Sequence, residues 1–167
     1  NGALLYLMQT LYFRNIPDGK HIDCRVCVTP EIKTTYTIYG RTTCPGVSDR
    51  GVKPLIGSQG VAAAAKYNMR GGVADVLCLP TDGEGFTSGT NTGGHSRIYP
   101  VQYRTVGHGA NTLTQVSGQW MSCGVCEVPN ATDVITVKGS SSCPDDYTRE
   151  YYGWLMSPHR THKRGDS

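Results

Sequence analysis

The chain has 167 residues, enough for one compact domain or two small ones, and a mild net charge of +3. Only 38% of it is apolar, with two Phe against ten Tyr and 21 Gly, a turn-rich composition with little helix-forming material. No basic stripe with interleaved aromatics points to nucleic acid, and no apolar run approaches the roughly 18 residues of a membrane span.

The predicted elements are short strands. Residues 3–8 are apolar and aromatic, and 34–39 (TTYTIY) is β-branched and aromatic, a strong strand signal. The one helical candidate is 60–68, which contains Ala62, Ala63, Ala64 and Ala65. Residues 73–79 form an apolar run around Cys78, and 87–96 (TSGTNTGGHS) has no apolar residue and reads as a mobile surface loop. Residues 97–105 alternate as a strand. Residues 133–137 are the counterpart of 34–39, and 147–156 (YTREYYGWLM) is aromatic-rich. Asp18-Gly19, Pro45-Gly46, Asp82-Gly83 and Gly93-Gly94 mark turns between them. The fold class that follows is all-β.

The seven cysteines obey a repeat. Cys24, Cys27 and Cys44 recur 99 residues later as Cys123, Cys126 and Cys143, and Pro30, Gly40 and Pro45 recur as Pro129, Gly139 and Pro144, with no insertion between matched points. The chain therefore divides into a complete unit at 32–129, the second half of a unit at 1–30 and the first half of one at 130–167. The two halves complement each other within a chain or between chains. The repeat of Cys78 would fall beyond Ser167, which accounts for the odd cysteine count. With Asn1 standing inside a motif, the chain reads as a processed or partial piece of a longer protein.

Spacing decides against metal. A zinc ribbon needs a second Cys-x-x-Cys, but Val47 and Asp146 stand where the fourth thiols would be. A thioredoxin-like pair needs a helix start, yet Pro30 and Pro129 follow three residues behind. Structural disulfides are expected at Cys24, Cys27, Cys44, Cys78, Cys123, Cys126 and Cys143, implying an oxidising, extracellular compartment. In a strand, residues three apart point to opposite faces, so the members of each Cys-x-x-Cys should not bond to each other. One of Cys123 and Cys126 should reach Cys44 and the other Cys78. By the same pattern Cys143 should reach Cys24 or Cys27, leaving one thiol.

Taken in order, NGALLY at 1–6, Cys24-x-Val26-Cys27, YGRTTCP at 39–45, Cys78-Leu79-Pro80, Cys123-x-Val125-Cys126 and YTREYYGWLM at 147–156 resemble a two-repeat cysteine domain. It is the C-terminal non-collagenous region of short-chain, spongin-type collagens, found also in free-standing secreted relatives. The likeness spans nearly the whole chain. In that family the YGRTTCP unit comes first, so this chain is circularly permuted, and it has no Gly-X-Y run of its own. The resemblance implies a secreted, matrix-associated module without enzymatic activity.

Asn130-Ala131-Thr132 is an N-glycosylation sequon just after Pro129, where a connecting loop and an N-linked glycan are expected. Arg164-Gly165-Asp166-Ser167 spells an integrin-binding tetrapeptide, although the repeat aligns it with Arg70-Gly71-Gly72, a turn of the unit. His159 and His162, with His95 and His108, lie among Arg and Lys and read as a solvated basic segment. Asp82 and Glu84 are too few for a calcium site. No nucleophile elbow, phosphate loop or His-Glu-x-x-His occurs, so no catalytic residue and no cofactor are named. The expected function is a structural, fibre-forming building block whose partner is a copy of itself, joined head to tail. The alternative is an adhesion or glycan-recognition module using the RGDS tetrapeptide or exposed Tyr and Trp.

Overall fold

The computed structural model describes residues 8–46, 51–55, 60–73, 75–82, 86–88, 96–105 and 115–163. They form nine strands and, among the described residues, no helix: β1 (Met8–Thr10), β2 (Lys20–Ile22), β3 (Lys33–Tyr39), β4 (Lys53–Pro54), β5 (Gly60–Ala64), β6 (Leu77–Leu79), β7 (Phe86–Ser88), β8 (Ser96–Pro100) and β9 (Ser122–Pro129). The chain is all-β, as its composition implies.

One mixed sheet runs in the order β3-β9-β5-β8-β1-β2-β7, with β4 added beside β9 and β6 beside β5. Only β1 and β8 pair in parallel; every other described strand pair is antiparallel. The longest ladder joins β3 to β9, from Lys33 opposite Pro129 to Tyr39 opposite Cys123. The β-branched and aromatic run of β3 suits a pleated, half-buried surface, and Ile38 points fully inward. On the outer face, the Lys33 ammonium lies 3.1 Å from the Glu127 carboxylate across this ladder and also meets Glu31.

Two clusters make the core. Phe13, Ile16, Ala63, Leu79 and Ile98 pack with Met8, Ile22 and Phe86 under the middle of the sheet. Ile38, Cys44, Val52 and Cys126 pack with Tyr36 and Val128 beneath the β3–β9 ladder. Between β1 and β2 the chain folds into a tight loop. Its base is closed by the buried Thr10 hydroxyl, which donates to Pro17 O at 2.9 Å and accepts from the Lys20 amide at 3.2 Å.

Several sequence expectations are corrected here. The alanine-rich 60–68 is not a helix: its first five residues are β5, paired with β6 on one edge and with β8 and β9 on the other. Alanine's helical preference amounts to a few tenths of a kcal/mol per residue, and two hydrogen-bonded ladders outweigh it. The small side chains are needed because Ala62, Ala63 and Ala64 are all buried in this crowded centre. Of the loop expected at 87–96, Thr87 and Ser88 belong to β7 and Ser96 opens β8, while 89–95 lie outside the described residues. Residues 133–137 form no strand, and neither does 147–156. Of the segment 3–8 only Met8 lies among the described residues, and it opens β1.

Among the described residues, no strand of the front half pairs with the back half. β1 and β2, from the front half, are added to the sheet of unit 32–129 through β8 and β7. Among the described residues, 131–163 carries no strand at all.

Gly60 is required by close approach. A Cβ there would lie 2.2 Å from the Cys123 carbonyl oxygen and 3.0 Å from Cys78 Sγ. The first contact is with backbone that cannot swing away. Gly60→Ala should destabilise the protein by about 1–3 kcal/mol or more, read as a lower urea midpoint under non-reducing conditions.

Candidate functional site

The chemistry concentrates on β9. Cys123 and Cys126 stand three residues apart on one strand and leave it on opposite faces. Cys126 bonds to Cys44, with Cα atoms 5.8 Å apart, and Cys123 bonds to Cys78 at 5.7 Å. Neither member bonds to the other, as the strand geometry requires. The first bridge ties the turn after β3 back beneath the β3–β9 ladder. The second joins β6 to β9 across the intervening β5, and the residue it crosses is Gly60. Both β9 cysteines are fully buried.

The other three cysteines depart from expectation. Cys24 and Cys27 are exposed thiols and Cys143 is a half-buried one; none is in a disulfide. The reason is their surroundings. Residues 23–29 lie outside any strand and are exposed, and Cys143 sits in an irregular stretch, so no strand register holds these thiols opposite one another.

Asn130 occupies an exposed turn directly after β9, with φ +56°, and its amide donates to Ile32 O at 3.0 Å. The side chain of the sequon is therefore open to solvent. Arg164, Gly165, Asp166 and Ser167 lie outside the described residues, as do His95, His108 and Glu84. His159 and His162 are exposed and their rings stand 5.6 Å apart, but His159 Nδ1 is engaged with the Thr161 hydroxyl at 2.8 Å and His162 leans on Tyr67. Among the described residues no group of three His, Cys, Asp or Glu side chains converges.

The aromatic C-terminal segment runs along the free edge of β3. Tyr151 stacks on Tyr36 with ring centres 6.2 Å apart, its hydroxyl donates to Thr37 O at 3.4 Å, and the Tyr36 hydroxyl reaches Glu150 at 3.3 Å. Beyond it Arg149 lies 5.3 Å from the ring centre of Tyr152. Tyr152, Trp154 and Leu155 are 76%, 71% and 80% exposed, an apolar ledge on the surface.

A feature that sequence reasoning missed lies at the β1–β2 loop. Residues 12–18 and Trp120 enclose an open depression of about 650 Å³, which adjoins a second of about 370 Å³ reaching Thr42, Gly60 and Thr81. The Arg14 guanidinium stands 6.0 Å from the Trp120 ring centre at the junction. A polar Arg14-Asn15 pair between the buried Phe13 and Ile16 was the only hint of it in the sequence. The walls are shallow and carry no convergent acid, base or nucleophile.

With this geometry in view, comparison with protein families, curated proteins and solved structures finds no match.

Two measurements probe the site. Replacing Cys44 and Cys126 together by Ala, or Cys78 and Cys123 together, should each cost about 2–5 kcal/mol, slightly more for the longer loop. The denaturant midpoint checks this, and the bridged separations are 82 and 45 residues. Alkali provides the other. Burial raises the phenol pKa of Tyr39, Tyr103 and Tyr151, with Tyr151 and Asp75 adding to the effect at Tyr39. For a group whose folded pKa is raised, stability is fully present below the unfolded value, about 10 for a phenol, and is lost as pH rises through the folded one. Unfolding should therefore set in above about pH 10 and coincide with the rise of tyrosinate absorbance.

Proposed function

We propose that the protein is a secreted, non-enzymatic structural module, a building block of extracellular matrix or of a fibre. The observation that supports this most is covalent bracing of a sheet with a thin core. The two bridges stabilise the fold by restricting the unfolded chain, where a small apolar interior contributes little. Disulfides persist in oxidising compartments, which fits secretion and use of the Asn130 sequon for an N-linked glycan. Metal or cofactor binding plays no part in this reading.

The partner this reading names is a copy of the same chain, in a head-to-tail arrangement. The contact it uses is the ledge of Tyr152, Trp154 and Leu155, three large apolar side chains that are all mostly exposed. Aromatic side chains of this kind dominate interfaces because they bury much area with few rotors. Sedimentation and electron microscopy of the oxidised protein at micromolar concentration should show assemblies, and Trp154→Ser with Leu155→Ser should disperse them. Discrete monomers from the unaltered chain would overturn the self-association.

The second reading, an adhesion or glycan-recognition module, draws on the same ledge. Tyr152 and Trp154 offer flat faces of the kind that stack on sugar rings, and Arg149 beside Tyr152 offers donors to hydroxyls. A glycan array tests it directly, and Asp166→Ala in a cell-adhesion assay tests the RGDS tetrapeptide. Binding lost on Trp154→Ser, with assembly intact, would favour recognition over structure.

A further inference from the structure

The β3–β9 ladder and the 99-residue sequence repeat together specify a second ladder. Shifting one partner of each pair forwards by 99 and the other backwards converts Lys33 opposite Pro129 into Thr132 opposite Pro30. In the same way Tyr36 opposite Cys126 becomes Ile135 opposite Cys27, and Tyr39 opposite Cys123 becomes Lys138 opposite Cys24. These shifted pairs are the ones the existing ladder reaches if it simply continues past Lys33 and Pro129 in unchanged register. It has already taken one step that way, in the bond from the Asn130 amide to Ile32 O.

We infer that residues 24–30 and 132–138 zip together as a continuation of the β3–β9 ladder within one chain, latched by a disulfide between Cys27 and Cys143. The bonded pair Cys44–Cys126 is the template, since the same shift carries Cys126 to Cys27 and Cys44 to Cys143.

The side chains around the template have counterparts as well. Ile38, Tyr36 and Val52, which cover the Cys44–Cys126 bridge, correspond to Val137, Ile135 and Tyr151. All three counterparts are apolar or aromatic: Val137 and Ile135, on the open arm, are 40% and 41% exposed, and Tyr151, stacked on Tyr36, is 41% exposed. On the opposing arm Val26 and Val28 are 93% and 96% exposed. Two unpaired β-branched segments that leave the same ladder side by side have their shortest route to burial in each other. A second copy has no such advantage, because the arms of one chain start from adjacent positions and close no intervening loop.

The correspondence also says where the latch ends. Arg25 stands where Gly124 does, and a Cβ there would lie 3.1 Å from Thr42 O, so the turn bearing Ser141 must sit a few tenths of an ångström farther out. His159 stands where Gly60 does, a position closed to any side chain, so the pairing of β5 with β9 is not repeated. Cys24 therefore keeps its thiol.

The chemistry balances with a small disulfide such as oxidised glutathione as oxidant. The Cys27 thiolate attacks one of its sulfurs and expels a thiolate. The Cys143 thiolate then attacks the Cys27 sulfur of the mixed disulfide and expels the second. Two protein thiols are oxidised, one oxidant disulfide is reduced to two thiols, and the two protons end on those thiols.

The full chain, incubated with oxidised glutathione, is mapped by mass spectrometry without reduction and labelled with a maleimide under denaturing conditions. The expected result is a Cys27–Cys143 linked peptide from monomeric protein and one label per chain, on Cys24. A bond between Cys24 and Cys27, three labels after oxidation, or a Cys27–Cys143 peptide found only in covalent dimers would overturn the inference. Ile135→Asp with Val137→Asp should slow the linkage about tenfold by lowering the effective concentration of the arms, with Cys44–Cys126 intact. An unchanged rate would show a chance encounter of thiols and overturn the ladder. The mapping is independent of the matrix reading, which stands or falls by the assembly experiments.

Discussion

Everything described depends on one strand, β9, holding a different disulfide on each face. A strand in the middle of a sheet has two edges for hydrogen bonds and two faces for side chains, and β9 uses all four. Its edges take β3 on one side and β4 and β5 on the other, while its faces carry Cys126 to Cys44 and Cys123 to Cys78. The three-residue spacing of the cysteines makes this possible, because a separation of two or four would place both sulfurs on one face. Gly60 follows from the same constraint: a bridge that crosses a neighbouring strand needs a residue with no side chain beneath it.

Much of this was legible in the sequence. The TTYTIY run carries its own strand signal, and it is β3 to within one residue. The cysteine pattern also contained the separation of Cys123 from Cys126 and their two partners. It left open which partner each would take. That choice is fixed by register: β3 leads straight into the turn that bears Cys44, and with Tyr36 opposite Cys126 the turn returns beneath Cys126. No local pattern encodes such a long-range alignment.

The misreadings share a cause. Ala62 to Ala65 carries a helical preference, but five residues with ladders on both edges have more to gain as a strand. Residues 133–137 carry a strand preference and are no strand, because a strand is defined by a partner, and no described strand pairs with them. The same missing partner explains the thiols at Cys24, Cys27 and Cys143. The depression around Trp120 escaped notice because Phe13, Arg14 and Trp120 are brought together only by the tertiary fold. The family resemblance rests on ordered motifs in the sequence and makes no use of these contacts.

The two bridges are nested: the span from Cys78 to Cys123 lies wholly inside the span from Cys44 to Cys126. A single peptide-bond cut anywhere between Cys44 and Cys126 therefore releases nothing, since both fragments stay joined through at least the outer bridge. β4 to β8 and all but the end of β9 lie in that protected interval. Cuts outside it leave that interval whole, but a cut just before Cys44 detaches β1, β2 and β3, which hydrogen bonds and packing alone then hold. For a protein exposed to proteases, resistance to fragmentation is then a property of its covalent topology and holds even where individual bonds are accessible.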